Sequence, residues 1–195
     1  MKAEFRRLGI PFTERAAITE EYLRAMKELW SAEAPRFSGR YVCFEDVAAF
    51  PKPVQKPGIP IYIGGFGEGP FRRVATVGDG WYPMSLSPKD VARGLSQIRP
   101  LMAQQGRNPQ SLWVGVSGLD IGAGETRNWQ HDVLGANSPV EIPRPVDTIT
   151  AAIDLAGEYA RAGANYVSVS FKWRSASELA DKLDQFAREA MPAFH

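Results

Sequence analysis

The sequence predicts an α/β fold of four consecutive βα units with parallel strands, preceded by a helix and a small β-hairpin. Three observations lead there. From Ile59 onward, apolar runs of strand length alternate four times with segments of helical period. The changes of rhythm carry start or stop signals: Ser87 before Pro88, Ser175 with Glu178, and the glycines Gly78, Gly106 and Gly163. Residues 1–58 read differently, as one helix, a hairpin and a proline-rich loop, so the chain of 195 residues divides as 1–58 and 59–195 within a single domain.

In chain order, Thr19 precedes Glu20 and Glu21, which suit the positive end of a helix, and Tyr22, Leu23, Met26, Leu29 and Trp30 then fall on one face. This predicts about three helical turns. Aromatic and β-branched residues alternate around Gly39 as a hairpin, and four prolines between Pro51 and Pro60 make an extended loop. The first unit is the strand Ile59 to Ile63 and a helix from Gly69 to Val77, with Gly78 as its C-terminal glycine. The second is "GWYPM" and a helix opened by Ser87 and Pro88, carrying Val91, Leu95, Ile98 and Met102 inward, with a kink at Pro100 and a stop at Gly106. "SLWVGVSGLDI" is the third strand. A long polar excursion from Gly122 to Pro145 follows it, readable as a covering loop or an insertion, before a helix opened by Asp147 and closed by Gly163. "YVSVSF" and a helix capped by "SASE" complete the fourth unit.

A closed eight-stranded barrel takes about 250 residues, so four units in this length make half a barrel or a small open sheet. Either leaves two strand edges and one apolar sheet face to be covered. The cover is the first 50 residues or another chain, which predicts a homo-oligomer or a partner chain that completes the barrel.

Composition narrows the function classes. Twenty-three basic and 22 acidic side chains leave a formal charge of +1 without long runs of one sign, so nothing points to nucleic acid. One cysteine, Cys43, forms no intrachain disulfide, and His131 and His195 stand far apart without metal-ligand spacing, so no metal site is predicted. The N-terminal "MKAEFRRLGIPF" lacks the apolar core of a leader, and no window reaches the ~18 apolar residues of a membrane span, which predicts a cytoplasmic protein without a membrane partner.

The stretch with chemistry in it is "IPIYIGGFGEGPFRR". An apolar strand breaks into four glycines, Gly64, Gly65, Gly67 and Gly69, where a helix begins. A loop leaving the C-terminal end of a parallel strand faces the site, and the following helix aims free amides there. Glycines allow positive φ and admit a phosphate without a Cβ in the way, and Arg72 and Arg73 can add charge from the side if Glu68 turns to solvent. The competing reading is a tight turn alone, since "GGFGEG" is neither GxGxxG nor a P-loop. Asp79 in "GDGW" reads as a turn cap, and Trp81 and Tyr82 as core or pocket wall. His131, beside Trp129 and Asp132, reads as solvated or structural; Ser168 and Ser170 alternate along the last strand and can point hydroxyls at a ligand. No nucleophile elbow or paired carboxylates occur at useful spacing, so the catalytic residues are unknown.

The segments "EEYLRAMKELW", "FSGRYVCFEDVAAFPKPVQKPGIPIYIGG", "RRVATVGDGWYP" and "QQGRNP", in this order, resemble the bacterial luciferase-like oxidoreductase superfamily, most closely its F420-dependent branch. The resemblance covers most of residues 4 to 116 and the remainder more loosely. It implies a partial (β/α)8 TIM barrel, with coenzyme F420 or alternatively FMN bound at the C-terminal strand ends, and hydride transfer between that cofactor and a small organic substrate. It also implies that the amides of Gly64, Gly65, Phe66 and Gly67 hold the cofactor phosphate. The chain begins at what resembles the middle of the family pattern, so the resemblance implies the C-terminal half, incomplete or inactive alone. A non-catalytic cofactor-binding half-barrel module and a self-associating remnant are the alternatives.

Overall fold

The computed structural model describes residues 2–122, 140–141, 143 and 145–194; His131 with its neighbours Trp129 and Asp132, His195 and most of the 122–145 excursion lie outside the described residues. The chain opens with α1 (Lys2–Arg7) and α2 (Arg15–Ser31), then the antiparallel pair β1 (Phe37–Ser38) and β2 (Cys43–Phe44). Four βα units follow: β3 (Tyr62–Ile63) and α3 (Glu68–Thr76), β4 (Gly80–Trp81) and α4 (Pro88–Gln104), β5 (Trp113–Ile121) and α5 (Ile149–Ala162), β6 (Tyr166–Phe171) and α6 (Ala176–Glu189). Strands β3 to β6 form one parallel sheet in chain order. That is the α/β half-barrel arrangement anticipated from the alternating rhythm, with β3 and β6 as its edges.

The strand register explains which side chains meet the helices. Ile63, Trp81 and Val114 lie side by side across the sheet and point outward, where α3 brings Phe71 and Val74, α4 brings Val91, Leu95, Ile98 and Met102, and α5 brings Tyr159. Trp81 is fully buried in this cluster. Each such Val, Leu, Ile or Phe contributes about 1.5–3 kcal/mol by leaving water. Farther along the sheet, Leu119 and Ile121 pack with Ala152, Val169, Phe171 and Phe186.

Local signals set most helix ends. Ser87 accepts the amide of Asp90 at 3.2 Å, Ser175 accepts that of Glu178 at 3.2 Å, and Glu178 reaches back to the Arg174 amide at 2.8 Å. Gly106 and Gly163 take positive φ past α4 and α5, as helix-stop glycines do.

Several boundaries or roles differ from the sequence expectation, among them the second strand, which holds only Gly80 and Trp81 of "GWYPM". Helix α2 starts at Arg15, because a 3-10 turn at Phe12–Glu14 feeds straight into it; the Thr19 hydroxyl instead donates to the Arg15 carbonyl at 2.7 Å inside the helix. Strand β3 holds only Tyr62 and Ile63 of the five residues from Ile59. The α3 helix begins at Glu68. Gly78 does not adopt positive φ; a Cβ there would come within 2.8 Å of Ile63 Cγ1, so close approach of helix and strand demands the glycine. Helix α5 is capped by Thr148, whose side chain accepts the Ala151 amide, and not by Asp147.

Two polar residues lock the parts together. Glu21 on α2 accepts the amides of Arg40, Tyr41 and Val42 at 3.0, 2.6 and 2.8 Å, which closes the β1–β2 turn. Desolvation works to raise its carboxyl, but those amides and the Arg24 charge outweigh it, and the group is held below its ordinary value. Arg107, from "QQGRNP", donates to the carbonyls of Val74, Ala75 and Gly78 at 2.8, 3.0 and 2.7 Å and so caps the C-terminal end of α3. Among the described residues, no helix is long and apolar enough to cross a membrane.

Candidate functional site

The glycine loop lies where the sequence places it, between the C-terminal end of β3 and the start of α3. Gly65 and Gly67 have φ of +89° and +114°, and Gly67 is the N-cap residue of α3 with ψ 179°. That combination belongs almost solely to glycine. A Cβ at Gly67 would meet nothing within 4 Å, so the site is open on that side, whereas one at Gly65 would sit 3.0 Å from Pro70 Cγ. Among the described residues, the amides of Gly64 through Gly69 donate to no protein acceptor; the first helical bond runs from the Phe71 amide to the Gly67 carbonyl at 3.0 Å. The loop thus offers a run of free N–H groups at the positive end of a helix, the arrangement that suits an oxyanion.

Neighbouring groups hold the loop in shape. The buried Trp81 donates its indole Nε1–H to the Gly65 carbonyl at 2.9 Å. The Phe66 ring packs edge-on against Phe71 at 5.0 Å, with the Arg93 guanidinium over it at 4.8 Å. Arg93 also pairs with Asp90 at 2.6 Å, and Asp90, buried, accepts the Ser87 hydroxyl and the Glu141 amide at 3.1 and 2.7 Å. Phe66 therefore contributes an amide to the loop and a ring to its foundation.

The charges flanking the loop differ from the sequence expectation. Arg72 and Arg73 turn to Glu20 of α2, each 3.7 Å from its carboxylate, so they brace α3 against α2. Glu68 is exposed to solvent. Asp79 accepts the Ile61 amide at 2.9 Å and the Lys27 ammonium at 3.3 Å, the turn-capping role its setting suggests.

The concave face of the sheet completes the site. It carries Tyr62, Trp113 and Tyr166, the first residues of β3, β5 and β6, and Tyr82 just past β4, with Tyr62 stacked on Trp113 at 4.2 Å and Trp113 and Tyr166 5.6 Å apart. Tyr62 and Tyr166 stay 46% and 50% exposed at the two edges. Toward the C-terminal ends the same face turns polar: Met84 is bridged to Ser117, Ser117 lies beside Ser168, and Asp120 lies beside Ser170. The alternation anticipated for Ser168 and Ser170 is present, since Val167 and Val169, on either side of Ser168, pack into the apolar cluster behind the sheet.

Asp120 is the residue that sequence reading missed. Simple alternation from Trp113 would place Leu119 on the concave face and Asp120 behind it. A bulge between Ser117 and Leu119 reverses the phase: Gly118 takes φ +105°, Leu119 is buried behind the sheet, and Asp120 comes to the front. The one hint was the apolar Leu119 falling out of step after a glycine.

Comparison with known proteins gives the family and the fold. The luciferase-like monooxygenase family model matches residues 1–126. An uncharacterized protein of Mycobacterium tuberculosis is 40% identical over 84 residues, covering 43% of this chain and 28% of the relative. The FMNH2-dependent dimethylsulfone monooxygenase of Pseudomonas putida is 28% identical over 159 residues, covering 80% of this chain and 43% of that protein. Among solved structures, an F420-dependent secondary alcohol dehydrogenase in complex with an F420–acetone adduct superposes with a TM-score of 0.73 at 15% identity, over 94% of this chain and 63% of that one. That likeness is one of fold. The chain spans less than half the length of these curated relatives.

Proposed function

The chain belongs to the luciferase-like monooxygenase family, and from that membership we propose that it is the cofactor-phosphate-holding part of an oxidoreductase that transfers hydride between coenzyme F420, or alternatively FMN, and a small organic substrate. The observation that carries the reading is the set of unpaired amides from Gly64 to Gly69, with positive φ at Gly65 and Gly67, at the C-terminal end of a parallel strand. The named relative and the named structure, one FMNH2-dependent and one F420-dependent, support a flavin or deazaflavin as the ligand class.

In this reading the amides of Gly64, Gly65, Phe66 and Gly67 hold the phosphate through the protein backbone, and the α3 N-terminus adds its partial positive charge. A bound flavin or deazaflavin supplies the ring that takes up and gives back hydride. Trp81 keeps the Gly65 carbonyl turned into the protein, which leaves the following amides facing the ligand. Because the nearest arginines are engaged by Glu20 and Asp90, recognition relies on N–H groups more than on side-chain charge. The aromatic layer of Tyr62, Tyr82, Trp113 and Tyr166 gives the concave face an apolar floor, and the polar layer around Ser117, Ser168 and Ser170 faces the substrate. No catalytic residue is assigned. The edges of β3 and β6, which pair with no further strand among the described residues, and the exposed Tyr62 and Tyr166 support completion of the barrel by a second copy or a partner chain.

FMN and riboflavin differ only by the phosphate, so their affinities isolate the cradle. Two or more charge-assisted amide bonds make FMN bind about tenfold tighter or more. Equal affinities for the two would refute the phosphate assignment.

A further inference from the structure

We propose that Asp120, with Ser170 beside it, recognises the polar head of the substrate, and that this head is a hydrogen-bond donor, an ammonium or hydroxyl group on a small organic molecule. The proposal rests on the reading of this end of the sheet as the substrate side. Its evidence is separate from the glycine loop.

The bulge is the first part of the argument. Gly118 at φ +105° is the unpaired residue that brings Asp120 to the concave face, and the fold holds the bulge firmly. A Cβ on Gly118 would lie 2.6 Å from Ser85 Oγ. Ser85 is itself buried with φ +46°, and its amide donates to the Ser117 carbonyl at 2.9 Å. Ser85, a non-glycine residue in the left-handed region, is a costly local arrangement, and it packs against the one residue type that takes positive φ freely. Its consequence is the placement of one carboxylate.

The second part is what that carboxylate touches. The Asp120 backbone carbonyl accepts the Val146 amide at 2.9 Å, which ties down its main chain. Its carboxylate, half-buried, accepts no hydrogen bond and joins no ion pair among the described residues. Asp79, Asp90, Glu20, Glu21 and Glu178 each have a named protein partner, and Glu68 faces solvent. A half-buried carboxylate accepts hydrogen bonds only, so its complement is a donor. The Ser170 hydroxyl, next to it across the strand pair, can donate or accept and so serves either an ammonium or a hydroxyl.

The test uses the full chain and three small probes of one shape: n-butylammonium, n-butanol and n-butyrate, followed by ligand-observed NMR. The wild type should prefer butylammonium over butyrate by about tenfold, the low end for a hydrogen bond to a charged group. Asp120→Asn should bring the ratio near one, and Asp120→Glu should restore part of it. A ratio near one in the wild type overturns the proposal whether or not the variants fold, and so does an unchanged ratio in a folded Asp120→Asn. Run beside the FMN and riboflavin comparison, the two readings separate. Tight FMN binding with no ammonium preference defeats this proposal alone, and an ammonium preference that Asp120→Asn removes, without FMN binding, supports it while defeating the phosphate cradle.

Discussion

Replacing Gly67 by alanine separates the cradle's backbone from its surroundings. At φ +114° and ψ 179° an alanine is strained by about 1–3 kcal/mol, while its methyl would meet nothing within 4 Å, so the whole cost is conformational. The strain has two outlets. If the loop keeps its shape, Gly67→Ala lowers the unfolding free energy by that amount. If the loop relaxes, stability is kept and the amides turn away, weakening cofactor binding roughly five- to 150-fold. Gly64→Ala is the control: its φ is not positive, and its Cβ would rest 3.5 Å from the Tyr82 carbonyl oxygen, an ordinary contact. Urea unfolding and cofactor titration on both variants read the two outlets together. The reasoning fails if Gly67→Ala matches Gly64→Ala in both stability and affinity.

Three further perturbations probe the supports. Arg107→Met removes the three donors to the Val74, Ala75 and Gly78 carbonyls and should cost about 2–3 kcal/mol in urea unfolding, with the loss concentrated in α3 by hydrogen exchange. Gly118→Ala combines a positive-φ penalty with a 2.6 Å approach to Ser85 Oγ and should cost about 2–4 kcal/mol in the same assay. Glu21 is held below its ordinary value of 4.5, so the folded chain binds its proton less readily than the unfolded chain does. The stability it contributes is therefore complete above that value and is lost as the pH falls through the lower folded value. Glu21→Gln should flatten this acid limb of the urea midpoint against pH, and an unchanged limb would show that other carboxylates carry it.

Much of the fold was legible because its signals are local. Ser87 with Pro88 and Ser175 with Glu178 announce helix starts through bonds spanning three residues, and the apolar faces of α4 and α6 follow from period alone. The glycine loop was legible for the same reason, since four glycines after a strand constrain the backbone directly. What escaped depends on contacts far along the chain. Arg72 and Arg73 read as flanking charges because Glu20, which takes them, sits on α2, well before them in the chain. Asp120 drew no reading because the bulge that turns it forward is fixed by Ser85 on the neighbouring strand's exit. The helix start was read at Thr19 because nothing local reveals the 3-10 turn that starts α2 earlier.

The central claim is that the Gly64 to Gly67 amides hold a cofactor phosphate. The most direct test is fluorescence anisotropy of coenzyme F420 and of FMN titrated with the purified 195-residue chain at a known oligomeric state, beside the same titration of Gly65→Asp. The account predicts micromolar or tighter binding of one cofactor, lost in Gly65→Asp because a carboxylate there repels the phosphate and strains the loop at φ +89°. Binding that survives Gly65→Asp unchanged would contradict it.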